Sequence, residues 1–174
     1  MLEERAIRDL GALALAASKA DQGEVLVDSG TGQLTRFAEN TIHQHVAREE
    51  TNLSVRAVLG KRIGVASGNV TTPEAVRELV AKAEALAKNM PPLEDFVSLP
   101  GPQPAPAPVG CDQVTADLPA EERETRVLYG LEKAKEAGVA ASGRLSNHWQ
   151  RLGVFNSLGL AQVIENTSVA FSTV

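Results

Sequence analysis

A run of prolines in the middle of the chain constrains the fold most. Seven of the nine prolines among the 174 residues lie between Pro91 and Pro108. Proline lacks an amide hydrogen and clashes with the preceding helical turn, so this stretch fits neither a helix nor the interior of a sheet. We therefore predict an extended linker over residues 91–116, between an N-terminal domain at 1–90 and a second unit at 117–174. The run is typical of a plain spacer or of a polyproline ligand for an aromatic-lined groove, and both interpretations stay open.

Hydrophobic periodicity predicts an α+β domain before the linker. Apolar residues recur at three- and four-residue steps from position 3 to 20, which indicates an amphipathic helix. A second helix over 71–90 begins with Thr72 and Pro73, because threonine caps free amides and proline suits the first turn. Between the helices the period changes to two, which is typical of strands joined by short turns. The predicted strands are 24–28, 33–49, 53–59 and 62–66, with turns at 29–32 and 60–61.

A shorter helix-plus-strands pattern follows the linker. Pro119 opens a helix that ends near Gly138, and strand-like stretches continue to Val174. We therefore expect an α+β fold in which an antiparallel β-meander packs against helices, with a second, smaller helix-plus-strands unit. That unit either extends the same sheet or forms a domain of its own. Because the chain stops inside a strand-like stretch, we expect this unit to be truncated at its C-terminus.

Charge and cysteine content narrow the classes of partner. The formal net charge is −5, and lysines and arginines are scattered along the sequence, so direct nucleic-acid binding is not expected. Cys111 is the only cysteine, which excludes an internal disulfide and fits a cytoplasmic protein. Charges interrupt the apolar stretch at the N-terminus, which predicts neither a signal peptide nor a membrane span. Aromatic residues make up only 3%, so alanine and valine are expected to fill the core.

The sequence contains no complete catalytic motif. A zinc peptidase needs two histidines on one helix face beside a carboxylate, and this pattern is absent, so we predict no catalytic residue and no metal site in the chain. His43 and His45, two apart on a predicted strand, would share one face and could chelate a metal; a half-exposed strand face is the simpler interpretation. Cys111 has no visible base beside it, which indicates a surface thiol.

Four polar residues on the strand-like stretch 33–49 are the candidate peptide-binding residues. They are Arg36, Asn40, His43 and Gln44. Side chains of these types, close together on strands, can line a cleft and hydrogen-bond an extended peptide. A solvated sheet face explains the same pattern equally well, so both interpretations stay open.

Several segments at fixed spacing resemble the N-terminal region of the TldD/PmbA family, also called modulators of DNA gyrase. The similar segments are TRFAENTIHQ at 35–44, LSVRAV at 53–58, GKRIGVA at 60–66, the helix at 72–88 and the Asn-Ser-x-Gly turn at 156–159. The resemblance covers nearly the whole chain. It implies a longer protein whose C-terminal part carries a His-Glu-x-x-x-His zinc motif in the TldD-like branch and lacks the metal in the PmbA-like branch.

The resemblance also implies a function and partners. Family members form homo- or heterodimers that enclose a cavity for unfolded peptides, and the N-terminal domain helps to wall it. We therefore expect this chain to be the non-catalytic N-terminal part of a metal-dependent peptidase, with no cofactor of its own and zinc in the full-length protein if it is TldD-like. The alternatives are a metal-free PmbA-like partner or assembly domain, and a free-standing module that binds peptide along a sheet edge.

Overall fold

The structure is a computed structural model that describes residues 1–104 and 110–174. Its strands form one five-stranded antiparallel sheet in the order β3-β2-β1-β4-β5. The predicted α+β class, with an antiparallel sheet and helices, is confirmed. The elements are α1 (Glu4–Ala17), β1 (Gln22–Ala38), β2 (Thr41–Leu59), β3 (Arg62–Gly68), α2 (Pro73–Asn89), α3 (Gln113–Ala116), α4 (Ala120–Glu136), β4 (Gly143–Asn156) and β5 (Ala161–Thr173).

The described residues divide into two compact units that are interleaved along the chain. Unit 1 contains residues 1–29, 50–104 and 151–164, and unit 2 contains residues 30–49, 110–150 and 165–174. Strands β1, β2, β4 and β5 contribute residues to both units because each strand is 13 to 19 residues long. The division at 1–90, 91–116 and 117–174 stays a prediction. None of the described helices is long and apolar enough to span a membrane.

Unit 1 has a core of small apolar side chains. Helix α1 buries one stripe around Ile7 and Ala14. Helix α2 begins as predicted, because the Thr72 hydroxyl accepts a hydrogen bond from the Ala75 amide at 3.4 Å. The buried cluster consists largely of alanine and valine, as the scarcity of aromatics predicts. Gly64 of β3 lets the sheet approach α2 closely, since an added Cβ would lie 2.2 Å from the Ala83 carbonyl oxygen.

Unit 2 has a smaller apolar cluster beside a buried polar one. The apolar residues are Phe37, Val127, Leu131 and Leu145. The Phe37 ring stacks on Phe171, with ring centroids 5.7 Å apart. Helix α4 contributes Val127 and Leu131 to this cluster, together with buried Arg123. An arginine thus occupies a position on the buried face of a helix whose other buried residues are apolar.

The turn predicted at 29–32 is wrong, because β1 runs without interruption from Gln22 to Ala38. Ser29 is fully buried, and its hydroxyl accepts a hydrogen bond from the Leu2 amide at 2.9 Å. The chain instead turns at Glu39 and Asn40, whose φ angles of 48° and 59° are those of a two-residue hairpin turn. The predicted turn at 60–61 is confirmed, with a φ of 59° at Gly60 between β2 and β3.

The described part of the proline-rich segment is irregular and is hydrogen-bonded to other residues of unit 1, while the extended linker stays a prediction. Residues 91–104 lie outside helices and strands. Leu99 is only 5% exposed, and its amide donates to Oε1 of Gln22 at 2.8 Å. The Asn156 side chain donates to the Pro100 carbonyl oxygen at 2.8 Å. The segment therefore packs on unit 1, whereas the part of the run at 105–109 falls outside the described residues. Helix α3, inside the predicted linker, was missed.

Candidate functional site

A groove on one face of the unit 2 sheet is the candidate site. We call it the arginine groove; it encloses about 450 Å³ and is formed by three neighbouring strands. The lining residues are Gly32, Gln33, Leu34 and Arg36 of β1, Gln44, Val46 and Arg48 of β2, and Arg144, Ser146 and His148 of β4. Strand alternation explains most of this selection, since Gly32, Leu34 and Arg36 line the groove whereas Thr35 and Phe37 are buried; Gln33, which alternates with them, is the exception.

Two glycines of β1 allow the neighbouring strands to approach the groove closely. A Cβ at Gly32 would lie 3.0 Å from Nδ1 of His148 and 3.8 Å from Nε of Arg48. A Cβ at Gly30 would lie 2.7 Å from the Trp149 carbonyl oxygen. These glycines therefore serve close packing rather than a turn, which is a common reason for glycine inside a strand.

The groove is cationic. Arg36, Arg48 and Arg144 are exposed there, and no aspartate or glutamate is among the lining residues. Neither Arg36 nor Arg144 forms an ion pair with any residue in the described ranges. The whole chain carries a formal charge of −5, so this concentration of positive charge is local and does not follow from the composition.

A buried arginine supports the groove from inside unit 2. Arg123 is 2% exposed, and its Nη1 donates to the side-chain oxygen of Gln33, which lines the groove. Its Nε donates to the Thr35 hydroxyl at 3.3 Å, and Nη1 donates to Oδ1 of Asn147 at 3.2 Å. Nη1 also donates to the Leu118 carbonyl oxygen. Within the described ranges all these acceptors are neutral oxygens, so the guanidinium charge is not balanced by a bonded carboxylate.

Two opposing influences act on the Arg123 guanidinium, and one of its acceptors is itself held by hydrogen bonds. Burial lowers the pKa of Arg123 from its usual value, and the negative charge of Glu121 acts in the opposite direction. Asn147 in turn donates to the carbonyl oxygens of Thr115 at 3.1 Å and Ala116 at 3.2 Å. The network thus holds helix α3, strand β1 and strand β4 of unit 2 in one arrangement.

The structure brings together two of the four predicted peptide-binding residues. Arg36 and Gln44 both line the arginine groove. Asn40 lies in the β1–β2 turn, where its side chain donates to the Val139 carbonyl oxygen and accepts from the Ala141 amide, both at 2.8 Å. His43 is exposed on β2 and is not among the groove residues. The peptide-binding role of all four stays a prediction.

The two histidines of β2 are both exposed. Nδ1 of His45 lies 3.0 Å from the hydroxyl of buried Thr35, and Ile42 packs against the cluster around Phe37. In the described part of the chain, no group of three or more His, Cys, Asp or Glu side chains is arranged to hold a metal.

Sequence reasoning missed Arg48, Arg144, His148 and Arg123. Arg48 had a usable signal, because it follows Gln44 at an even spacing on the same predicted strand. Arg144 and His148 reach the groove through the pairing of β1 with β4, which joins positions more than a hundred residues apart. Arg123 resembles a solvent-facing helix residue in the sequence, and only its three-dimensional partners reveal its burial.

The comparisons with known proteins agree with this fold. Residues 23–87 match the family described as PmbA/TldA metallopeptidase domain 1. TldE from Thermococcus kodakarensis has a similar structure, with a TM-score of 0.80 and 23% identity, over 94% of this chain and 37% of that protein. A candidate modulator of a DNA gyrase from Thermotoga maritima gives a TM-score of 0.72 and 15% identity, over 95% of this chain and 38% of that protein.

A third similar structure is a candidate modulator of DNA gyrase from Bacteroides thetaiotaomicron. Its TM-score is 0.69 at 14% identity, over 99% of this chain and 41% of that protein. No curated protein matches the sequence. The solved structures define the class of fold, and the chain spans 37% to 41% of their lengths. The resemblance to the N-terminal region of the TldD/PmbA family is thereby confirmed, since residues 23–87 match the model of that family's first domain.

Proposed function

We propose that this chain is the non-catalytic N-terminal part of a TldD/PmbA-type metal-dependent peptidase. In this proposal it helps to form the peptide-binding cavity and the dimer, and the protein acts in the cytoplasm. The observation that carries the proposal is the match of residues 23–87 to a metallopeptidase first domain. The similar fold over nearly the whole chain supports it.

In this proposal the arginine groove contributes to peptide capture. Side chains on three neighbouring strands, β1, β2 and β4, present guanidinium, amide, hydroxyl and imidazole groups to the groove. An extended peptide carries a carbonyl acceptor at every residue, so a row of donors along strands can bind it without selecting one sequence. Three of the groove residues with donor groups, Arg36, Gln44 and Arg48, lie inside the segment that matches the family domain.

The residues described here do not fit a metal, since they contain no suitable cluster of ligands. If the protein is TldD-like, we therefore propose that zinc binds in the region of the full-length protein that this chain does not include. When bound, zinc would supply an activated water for peptide hydrolysis. A metal-free PmbA-like subunit remains the alternative function, in which the same groove holds peptide for a catalytic partner.

The test is elemental analysis of the purified full-length protein together with hydrolysis of an unstructured peptide. We expect zinc at about one ion per catalytic subunit and cleavage that stops with a chelator and returns with added zinc. Absence of both zinc and cleavage would support the metal-free partner, provided that the protein then activates a second family subunit. Cleavage that resists chelation would contradict the metal-dependent mechanism.

A further inference from the structure

We infer that the arginine groove binds the carboxylate groups of acidic, extended peptides. This inference rests on the proposed function and names the class of peptide that the site selects. Its first support is the composition of the lining, which includes Arg36, Arg48 and Arg144 and no acidic residue. A guanidinium offers two parallel N–H donors that match the two oxygens of a carboxylate.

The buried cation beneath the groove is the second, independent support. Arg123 bonds only to neutral oxygens among the described residues, and the Glu121 carboxylate acts on it only through space. Its field is weakly screened because the side chain is 2% exposed. The side-chain oxygen of Gln33 accepts a hydrogen bond from Arg123, which links the buried cation directly to a residue that lines the groove.

Peptide is favoured over single-stranded nucleic acid as the occupant. Nucleic-acid grooves combine cations with aromatic side chains on which bases stack. The lining of the arginine groove contains His148 but no Phe, Tyr or Trp. The chain as a whole is acidic, with a formal charge of −5, which opposes the approach of a long polyanion. Short carboxylate-bearing segments fit the local charge better.

The experiment measures peptide binding to the full-length protein by fluorescence anisotropy. The probes are three labelled, unstructured peptides of equal length, in which the same positions carry Glu, Gln or Lys. A chelator is present so that cleavage does not consume the probe. We expect the Glu peptide to bind about tenfold or more tightly than the Gln peptide, and the preference to shrink at high salt.

Double variants with matched charge changes test whether the preference for the Glu peptide depends on the arginine groove. The double change Arg36→Gln/Arg144→Gln is expected to lower the affinity for the Glu peptide about tenfold and to leave the Gln peptide almost unchanged. The control Arg5→Gln/Arg77→Gln removes the same charge from exposed helix positions outside the groove and should leave both affinities within about twofold. Arg36→Lys/Arg144→Lys keeps the charge and tests whether the forked geometry matters.

Each outcome decides one question. Equal binding of the Glu and Gln peptides, or equal losses in the groove and control variants, would overturn the inference while leaving the peptidase function intact. Tight, groove-dependent binding of the Glu peptide by a full-length protein that cleaves no peptide when zinc is supplied and the chelator is left out would support the inference and contradict the proposed peptidase function. A labelled single-stranded oligonucleotide that binds more tightly than the Glu peptide, through the same arginines, would replace peptide by nucleic acid as the ligand.

Discussion

The two units differ in what they bury. Unit 1 packs two helices against the sheet through alanine, valine and glycine, and its buried cluster is apolar. Unit 2 buries an arginine with four neutral acceptors next to a small apolar cluster, and it exposes three more arginines on the other side of β1. Apolar packing stabilises a fold directly, whereas a buried cation is costly unless it is hydrogen-bonded. In the function that we propose, unit 1 therefore serves mainly stability and unit 2 carries the candidate peptide-binding site.

The largest expected effect comes from filling the tightest contact in unit 1. Gly64→Ala places a Cβ 2.2 Å from the Ala83 carbonyl oxygen and 2.3 Å from the Ala87 amide nitrogen. Because neither backbone atom can move without displacing α2, we expect the free energy of unfolding to fall by about 3 kcal/mol. Urea denaturation followed by far-UV circular dichroism measures the change.

Gly68→Ala is the matched control on the same strand. The nearest atoms to a Cβ there lie 3.6 and 3.7 Å away, which is ordinary contact, so the change should stay within about 0.5 kcal/mol. Similar unfolding midpoints for the two variants would show that β3 and α2 are not packed as described.

In unit 2 the corresponding test removes the buried cation. Arg123→Met leaves the oxygens of Thr35, Gln33 and Asn147 without their donor, so we expect a loss of about 2–3 kcal/mol. Trp149, the only tryptophan, belongs to unit 2 and reports its unfolding by fluorescence. A neutral or stabilising result would mean that the polar network does not hold unit 2 together.

Arg126→Met on the same helix is the control for that variant. Arg126 is about half exposed and pairs with Glu122 one turn away. Exposed pairs of this kind contribute little, so the change should be below about 0.5 kcal/mol.

The proline-rich segment gives a smaller effect within unit 1. Leu99→Ala removes an anchor that is 5% exposed, so we expect a loss of about 2 kcal/mol and faster proteolysis of the segment. Val97→Ala, at a position 92% exposed, is the control and should change neither quantity. If both variants are cleaved at the wild-type rate, the segment is a spacer and its packing on unit 1 is wrong.

Features of the fold that are marked by neighbouring residues could be predicted from the sequence, whereas features without such a mark could not. Helix α2 was predicted because Thr72 and Pro73 mark its start within two residues, and the turn at Gly60 has the residue that its φ angle requires. Gly30 misled the prediction because a glycine inside a strand and a glycine in a turn look alike in sequence. The real turn uses Glu39, which rarely adopts a left-handed conformation, so the alternating pattern concealed it.

Only part of the candidate site could be predicted from the sequence, because some of its residues come together through long-range strand pairing. Arg36 and Gln44 lie on one hairpin, so their proximity follows from local sequence. Arg144 lies beside them because β4 pairs with β1, although the two strands are far apart in the sequence. The hydrophobic pattern alone does not determine which strands become neighbours. His43 lies on the same hairpin but does not line the groove, so proximity on the hairpin did not distinguish it from Gln44.

The smallest expected effect concerns the cap of α3. Hydrogen bonds from the Thr115 hydroxyl, and then from its amide, lower the pKa of Asp112 below its ordinary value of 3.8. A carboxylate with a lowered folded-state pKa contributes stability that is fully present above the ordinary value and is lost as the pH falls through the lowered one. We therefore expect hydrogen exchange at the Thr115 amide to stay slow until the pH falls to the lowered pKa of Asp112, and to become fast below that pKa.

Asp112→Asn sharpens this last test, because asparagine still caps a helix but does not titrate. The variant should show no acid-dependent loss of protection at Thr115 by NMR-detected amide exchange. A wild-type protein whose Thr115 protection is the same on both sides of the acid range would contradict the role of the carboxylate.

The most direct test of peptide capture by unit 2 is photo-crosslinking on the full-length protein. An acidic, unstructured peptide that carries a benzophenone side chain is bound, irradiated and mapped by mass spectrometry. We predict crosslinks to the groove positions around Leu34, Val46 and Ser146, and their loss in Arg36→Gln/Arg144→Gln. Crosslinks that lie only outside the arginine groove, and that are unchanged in Arg36→Gln/Arg144→Gln, would contradict peptide capture by unit 2.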